Sequence, residues 1–343
     1  MGGARGPQVA RGGRRALVGA PVPLSGRYAP QGVQVRAGLE LWAERAGAAL
    51  RLEDDRSDPE RAARLHAGLR AAGCRLVLGP YGSDTTRACA GRGGGVVWNH
   101  GAAADDVQRM ALVVSVPSPA SRYLVALGRA VAELRAGACV AIAAGRGRFA
   151  RLAAEGLEAK ADSLGLELLG RFPLTVPARR VLAAGPDAVL VCGPLQPEVA
   201  LLRQLAALSP HTLLGGVSPG MLDFPHQLGG DPDGFLAPVQ WHRDLGAAPA
   251  LGPPSAEVLS AARARGLPEP DYLAAQAYAA ALVAERCGRL APEDPLLAAR
   301  ELATSTFFGR FRLDPRTGVQ RDHRLSVVRW TRGRQQLLLA EAA

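Results

Sequence analysis

Along the chain, short runs of small and β-branched apolar residues alternate with longer Ala-, Leu- and Arg-rich segments whose apolar positions recur with helical period. That alternation predicts a parallel sheet covered by helices. Strands are expected at 16–20, 50–52, 76–79, 95–98 and 112–116, with helices at 32–47, 58–72 and 85–92 between them. After Pro117 and Pro119 the cadence restarts, with helices at 121–136, 149–164 and 197–207 and strands at 139–143, 166–171, 188–192 and 212–215. A βα pattern that occurs twice favours two doubly wound lobes over one continuous sheet. The Pro- and Gly-rich stretch 231–254 reads as a connection, followed by helices at 255–265, 272–289 and 297–304. The tail then changes period. A strand at 309–313, a turn at Asp314-Pro315-Arg316-Thr317-Gly318 and a strand at 324–330 read as a β-hairpin. An antiparallel tail on a parallel body describes a chain that returns to finish a lobe it left earlier, which makes the domains discontinuous.

With 343 residues, 48% of them hydrophobic and 21% charged, the chain can bury a large core, and general disorder is excluded. The net charge of +10 raises the question of nucleic acid. The excess is scattered, however: Lys160 is the only lysine, so 40 of the 41 basic residues are arginines spread along the chain. Aromatic residues, at 5%, are too few for base-stacking platforms, so no nucleic-acid partner is expected. No run of 18 apolar residues is present to span a bilayer. The N-terminal stretch carries Arg5, Arg11, Arg14 and Arg15 among glycines and has no readable secretory signal. Two readings stay open there: a cytosolic chain, or one whose export signal is missing from this version. Cys74, Cys89, Cys139, Cys192 and Cys287 are odd in number and widely spaced, the pattern of buried small hydrophobes and not of a disulfide framework or a zinc site.

Enzymatic motifs do not emerge. The chain has no GxxxxGK[ST], no HExxH and no GxSxG, and the glycines at 91, 93, 94 and 95 precede a strand where a dinucleotide fingerprint would open a helix. The histidines are isolated, and His66 reads as a surface or satisfied helical residue. No catalytic residue, metal or cofactor is called for. What remains is the set of strand ends, where ligands of open α/β sheets bind. The loop Pro21–Tyr28 is the first. The second offers Tyr81, Gly82 and Ser83 ahead of a helix whose N–H groups suit a carboxylate, with Ser83 and Asp84 as alternative helix caps. At a third, Trp98, Asn99 and His100 place an indole, an amide and an imidazole in succession, Trp98 serving either core or pocket, and Asp105 reads as a helix cap.

The order of Leu24-Ser25-Gly26, Gly32, Gly38, Asp54-Asp55, Asp58-Pro59, Gly79-Pro80, Ser83 and Thr86 resembles the N-terminal half of a known family, the ABC-transporter solute-binding proteins for branched-chain amino acids and related compounds. The closing run Thr306-Phe307-Phe308-Gly309 through Phe311, Asp314, Gly318 and Trp330, with Tyr272 and Tyr278 before it, is similar to that family's end. The resemblance implies an α/β, type I periplasmic-binding fold: two Rossmann-like lobes, three crossovers near 117–122, 238–246 and 308–312, and ligand trapped by hinge closure. Lobe 1 would comprise 14–120 with 247–308 and lobe 2 would comprise 121–246 with 309–343, after a disordered segment 1–13.

For ligand contacts the resemblance implies Tyr81 to Ser83 and then Ala102 and Ala104, where the family has a small residue and a threonine. It implies Phe149 as the aromatic of the second lobe, with Leu195 at the usual tyrosine and Val217 at the acidic partner of an ammonium. A buried ammonium without its carboxylate costs several kcal/mol, which disfavours an ordinary α-amino acid. A pocket of Tyr81, Trp98, His100, Phe149 and Trp241 suits instead a small organic acid, an aromatic carboxylate or an amide. The expected protein is a monomeric, non-enzymatic receptor in the periplasm or at the cell surface, with a small-molecule ligand and ABC permease subunits as partners. The alternative is a cytoplasmic ligand-sensing regulator on the same fold.

Overall fold

The computed structural model describes residues 16–245 and 248–340. The segment 1–13 expected to be disordered, and the expected boundary residues 246, 247 and 341–343, lie outside the described residues.

The first half of the chain forms β1 (Leu17–Val22), α1 (Ala29–Ala46), β2 (Ala49–Asp54), α2 (Pro59–Ala71), β3 (Leu76–Val77), α3 (Ser83–Gly91), β4 (Val97–Asn99), α4 (Asp105–Gln108) and β5 (Val113–Ser115). β1 lies between β2 and β3, and β4 pairs with β5, all in parallel. A parallel bridge between Leu78 and Trp98 joins the two parts, so the spatial order is β2-β1-β3-β4-β5. The second lobe adds α5 (Tyr123–Leu134), β6 (Cys139–Ala144), α6 (Arg148–Glu158), β7 (Glu167–Pro173), α7 (Ala178–Leu182), β8 (Ala188–Cys192), α8 (Leu195–Leu208), β9 (Leu213–Gly216), α9 (Phe224–Leu228) and β10 (Leu236–Val239). Its strands run β7-β6-β8-β9-β10, the same order with the same offsets. The repeated cadence of the sequence is thus a repeated topology.

The chain then returns through α10 (Ser255–Ala264), α11 (Tyr272–Leu290) and α12 (Pro295–Glu301), a short hairpin of β11 (Thr304–Thr306) and β12 (Gly309–Phe311), and finally β13 (Ser326–Thr331) and β14 (Arg334–Leu339). α11 packs on α1 in the first lobe, whereas β13 adds antiparallel to β10 and β14 to β13 in the second.

Local chemistry explains these elements. All five residues of β8 are buried, as expected of a parallel strand covered on both faces. Pro59 opens α2, and the Asp58 carboxylate accepts the Arg61 N–H at 2.6 Å. α1 and α11 approach closely because residue 38 is glycine: a Cβ there would stand 2.1 Å from the Ala274 carbonyl oxygen. One core lies around these two helices and includes Leu39, Trp42, Trp98 and Tyr278, and another, containing Leu127, Ile142, Leu157 and Leu190, fills the second lobe.

Two expectations from the sequence are corrected. The stretch 231–254 is not wholly connection, since Leu236–Val239 is a strand inside the second sheet. Pro238 disguised it, and is tolerated because β10 pairs with β9 only at Leu236. Nor do 309–313 and 324–330 pair with each other. The Asp314 turn forms, its carboxylate accepting the Arg316 and Thr317 N–H groups at 3.0 and 2.8 Å, but it supports only a single bridge, Leu313 to Gln320. β12 pairs with β11, and β13 turns into β14 through Arg332 and Gly333, both left-handed. The third crossing therefore runs through 312–325, later than expected.

Candidate functional site

Corresponding loops of the two lobes face each other across a cleft of about 120 Å³. From the first lobe come Tyr28, Tyr81, Gly82, Ser83, Gly101 and Ala103, and Pro117 follows from the first crossing. The second lobe contributes Tyr123, Phe149 and Val217, and α11 adds Tyr272 and Gln276, one helical turn apart. Four of the chain's five tyrosines therefore meet in one place, and no charged residue lines it.

The β1 loop is fixed by the β2 loop. Asp54 accepts the Ser25 hydroxyl at 2.7 Å and its N–H at 3.1 Å, while the Ser57 hydroxyl accepts the Tyr28 N–H at 3.0 Å. Tyr28 thereby meets Tyr81 edge to face, with centroids 5.4 Å apart and planes at 75°. Tyr81 fits because residue 101 is glycine, where a Cβ would stand 2.2 Å from the ring. Opposite, Tyr123 and Phe149 form a second edge-to-face pair at 5.0 Å and 87°. Each lobe thus supplies one aromatic pair.

The phenols are neutral. Burial pushes Tyr123 up to about 12 and raises Tyr28, Tyr81 and Tyr272 as well. Tyr81, Tyr123 and Tyr272 line the same cleft. Among the described residues no hydrogen bond engages the Tyr81 and Tyr272 hydroxyls or the Gln276 amide. Ser83 opens α3, which has no side-chain cap, so the first N–H groups of that helix are not taken up locally. The Ser83 hydroxyl accepts the Ala104 N–H at 3.3 Å, which leaves its own proton to donate. Asp84, offered as a cap, instead pairs with Arg27 at 3.3 Å on the exposed rim. Asp105 does not cap α4 either: it accepts the Ser121 N–H and hydroxyl at 3.1 and 2.6 Å, beside the first crossing. At the edge of the cleft Asp106 of the first lobe pairs with Arg148 of the second and reaches Arg87 at 3.5 Å.

Of the eleven residues singled out from the sequence, Tyr81, Gly82, Ser83, Phe149 and Val217 line the cleft. Trp98, Asn99, His100, Ala102, Ala104 and Leu195 do not. Trp98 is a core residue, which decides the open choice for it. Asn99 is consumed by the loop it begins, its oxygen accepting the Gly101 and Ala102 N–H groups and its nitrogen donating to the Ala102 carbonyl and Ser115. His100 is fully buried behind Gly79, and burial lowers it to about 4, so it is neutral. Ala102 and Ala104 pack with Val107 under the loop, Leu195 packs between two cores, and Trp241 is buried against Phe307. His66 is corrected too: it is 2% exposed, with its Nε2 lacking a partner, and burial lowers it to about 4. Cys74, Cys89, Cys192 and Cys287 are buried and Cys139 is half-buried. Tyr28 lines the cleft from the first strand-end loop named from the sequence, Gly101 and Ala103 from the third, and Pro117, Tyr123, Tyr272 and Gln276 line it without having been proposed as contacts. Among the described residues there is no cluster suited to a metal ion and no helix long and apolar enough to cross a membrane.

Residues 17–335 match the family model described as periplasmic binding protein. No curated protein matches the chain. Several solved structures are similar. A solute-binding protein of an ABC transporter from R. palustris, in complex with benzoate, superposes with a TM-score of 0.78 at 18% identity, over 95% of this chain and 96% of that one. The leucine-binding protein LivK from Thermotoga maritima gives 0.81 at 17% over 94% and 97%. The branched-chain amino acid transporter substrate-binding protein LivJ from Streptococcus pneumoniae, in complex with isoleucine, gives 0.81 at 16% over 94% and 98%. At such identities the likeness establishes the fold.

Proposed function

The chain belongs to the periplasmic binding protein family, and from that membership we propose that it is an extracytoplasmic receptor that traps a small aromatic carboxylate between its lobes and delivers it to an ABC permease. The observation that carries this reading is the concentration of four tyrosines and Phe149 around a cleft with no charged lining residue. A cavity of about 150 Å³ accepts a benzene ring, so a cleft of about 120 Å³ is on the scale of a single ring. The two aromatic pairs hold the ring edges and faces, and the carboxylate is met by the α3 N-terminus and the Ser83 hydroxyl. Val217 leaves an α-ammonium without a counter-charge, the feature that separates this cleft from one for leucine. The benzoate complex of a protein of the same fold supports the choice of ligand class. The action is grip and release by lobe closure, with the chain working as a monomer and without covalent chemistry.

A thermal-shift panel of benzoate, 4-hydroxybenzoate, short organic acids and aliphatic amino acids tests the reading. A ligand at a hundredfold excess over its Kd adds about 2.7 kcal/mol of stability. Benzoates should raise Tm by several degrees, and stabilisation by leucine or valine alone refutes the assignment.

A further inference from the structure

Each of the three crossings places one buried polar residue in a single network: Ser118 from the first, Gln240 from the second and His323 from the third. The Ser118 N–H donates to Gln240 Oε1 at 3.0 Å, and the Ser118 hydroxyl donates to the His323 carbonyl at 2.6 Å. His323, neutral because burial lowers it to about 3, bonds through Nε2 to the Gln240 carbonyl at 2.9 Å and stacks on Phe308 at 4.2 Å. The network leaves the hinge at one point. Gln240 Nε2 donates to the Tyr123 hydroxyl at 2.6 Å, and the Tyr123 ring is a wall of the cleft.

We propose that Gln240 is a positioning residue that couples the ligand cleft to the hinge, by holding Tyr123 with one end of its amide and the first crossing with the other. A change in the hinge alters the relative placement of the three crossings, and the Gln240 side chain, which belongs to the second crossing and bonds both the first crossing and Tyr123, carries that change to the cleft wall. Because its bonds are buried, no water replaces a lost partner. The ligand half of this inference rests on the proposed carboxylate-binding role, whereas the hinge half stands on the bonds alone.

The test compares the wild type with Gln240→Met, Tyr123→Phe and the double variant, using benzoate as probe and thermal unfolding as the check on folding. Each single change should weaken benzoate binding about tenfold, and the double variant should lose no more than the weaker of the two singles. Losses that multiply overturn the coupling. Should the wild type bind no benzoate, the carboxylate reading fails, and hydrogen exchange of the Ser118 amide in ligand-free protein decides the coupling. Tyr123→Phe should then speed that exchange, and an unchanged rate overturns the proposal. Tyr123→Phe, which removes only a hydroxyl, carries both readouts should Gln240→Met fail to fold.

Discussion

Ser83 illustrates how the environment assigns a role to a residue. Its hydroxyl oxygen is occupied by the Ala104 N–H and its proton is free, so Ser83→Ala should weaken benzoate binding about tenfold. Tm should fall by a few degrees as well, since the buried Ala104 N–H loses its acceptor, and calorimetric titration beside thermal unfolding checks both. His66 gives a stability prediction. Its pKa, lowered by burial to about 4 from 6.5, means the unfolded chain binds the extra proton first, so its contribution is whole above 6.5 and is lost as pH falls toward 4. Between pH 7 and pH 5, His66→Leu should cut the fall in unfolding free energy by about 2 kcal/mol relative to wild type. Comparing the two chains cancels the opposing carboxylates Asp55, Glu198 and Asp271, whose pKa values burial raises. Urea titrations at the two pH values supply the numbers.

Helix starts hold the signal that residue types alone did not reveal. Tyr28 is the N-cap of α1, Tyr81 precedes the N-cap of α3, and Tyr123 and Tyr272 are the first residues of α5 and α11. In a doubly wound lobe, helices begin where strands end, so a tyrosine at a helix start is aimed at the ligand crevice. Tyr81 was legible because its loop directly follows a strand. Tyr123 and Tyr272 were not, because what brings them to the cleft is a crossing and a returning helix, contacts of long sequence separation. Trp98 and His100 misled for the complementary reason: they end a strand, but Gly79 and Asn99 close that loop over them. The strand and helix alternation was legible almost throughout, and failed at β10 and the tail, where a proline and an Arg-Gly turn conceal sheet pairing. The α1–α11 contact is testable at this scale. Gly38→Ala should cost about 1–3 kcal/mol by overpacking, whereas Gly68→Ala, with open space around its exposed position in α2, should add about 0.5–1 kcal/mol. Chemical denaturation of both variants checks the contrast, and equal effects would refute the close-approach argument.

Taken whole, the molecule is one topology used twice, with the switch point of each copy turned toward the other. Such an arrangement yields a crevice whose walls belong to different bodies, so under the proposed function binding and closure are one event. The Asp106 and Arg148 pair spans the two bodies at the rim, each side chain about one-third exposed. Pairs exposed to this degree contribute at most about 1 kcal/mol, so Asp106→Asn should speed benzoate release about threefold in stopped-flow measurements and flatten the salt dependence of that rate.

The central claim, that a tyrosine-lined seam between two lobes holds an aromatic carboxylate, is tested most directly by calorimetric titration of purified protein with benzoate and, separately, leucine. The account predicts saturable one-to-one heat with benzoate and none with leucine. Saturation by leucine with no response to benzoate would contradict it.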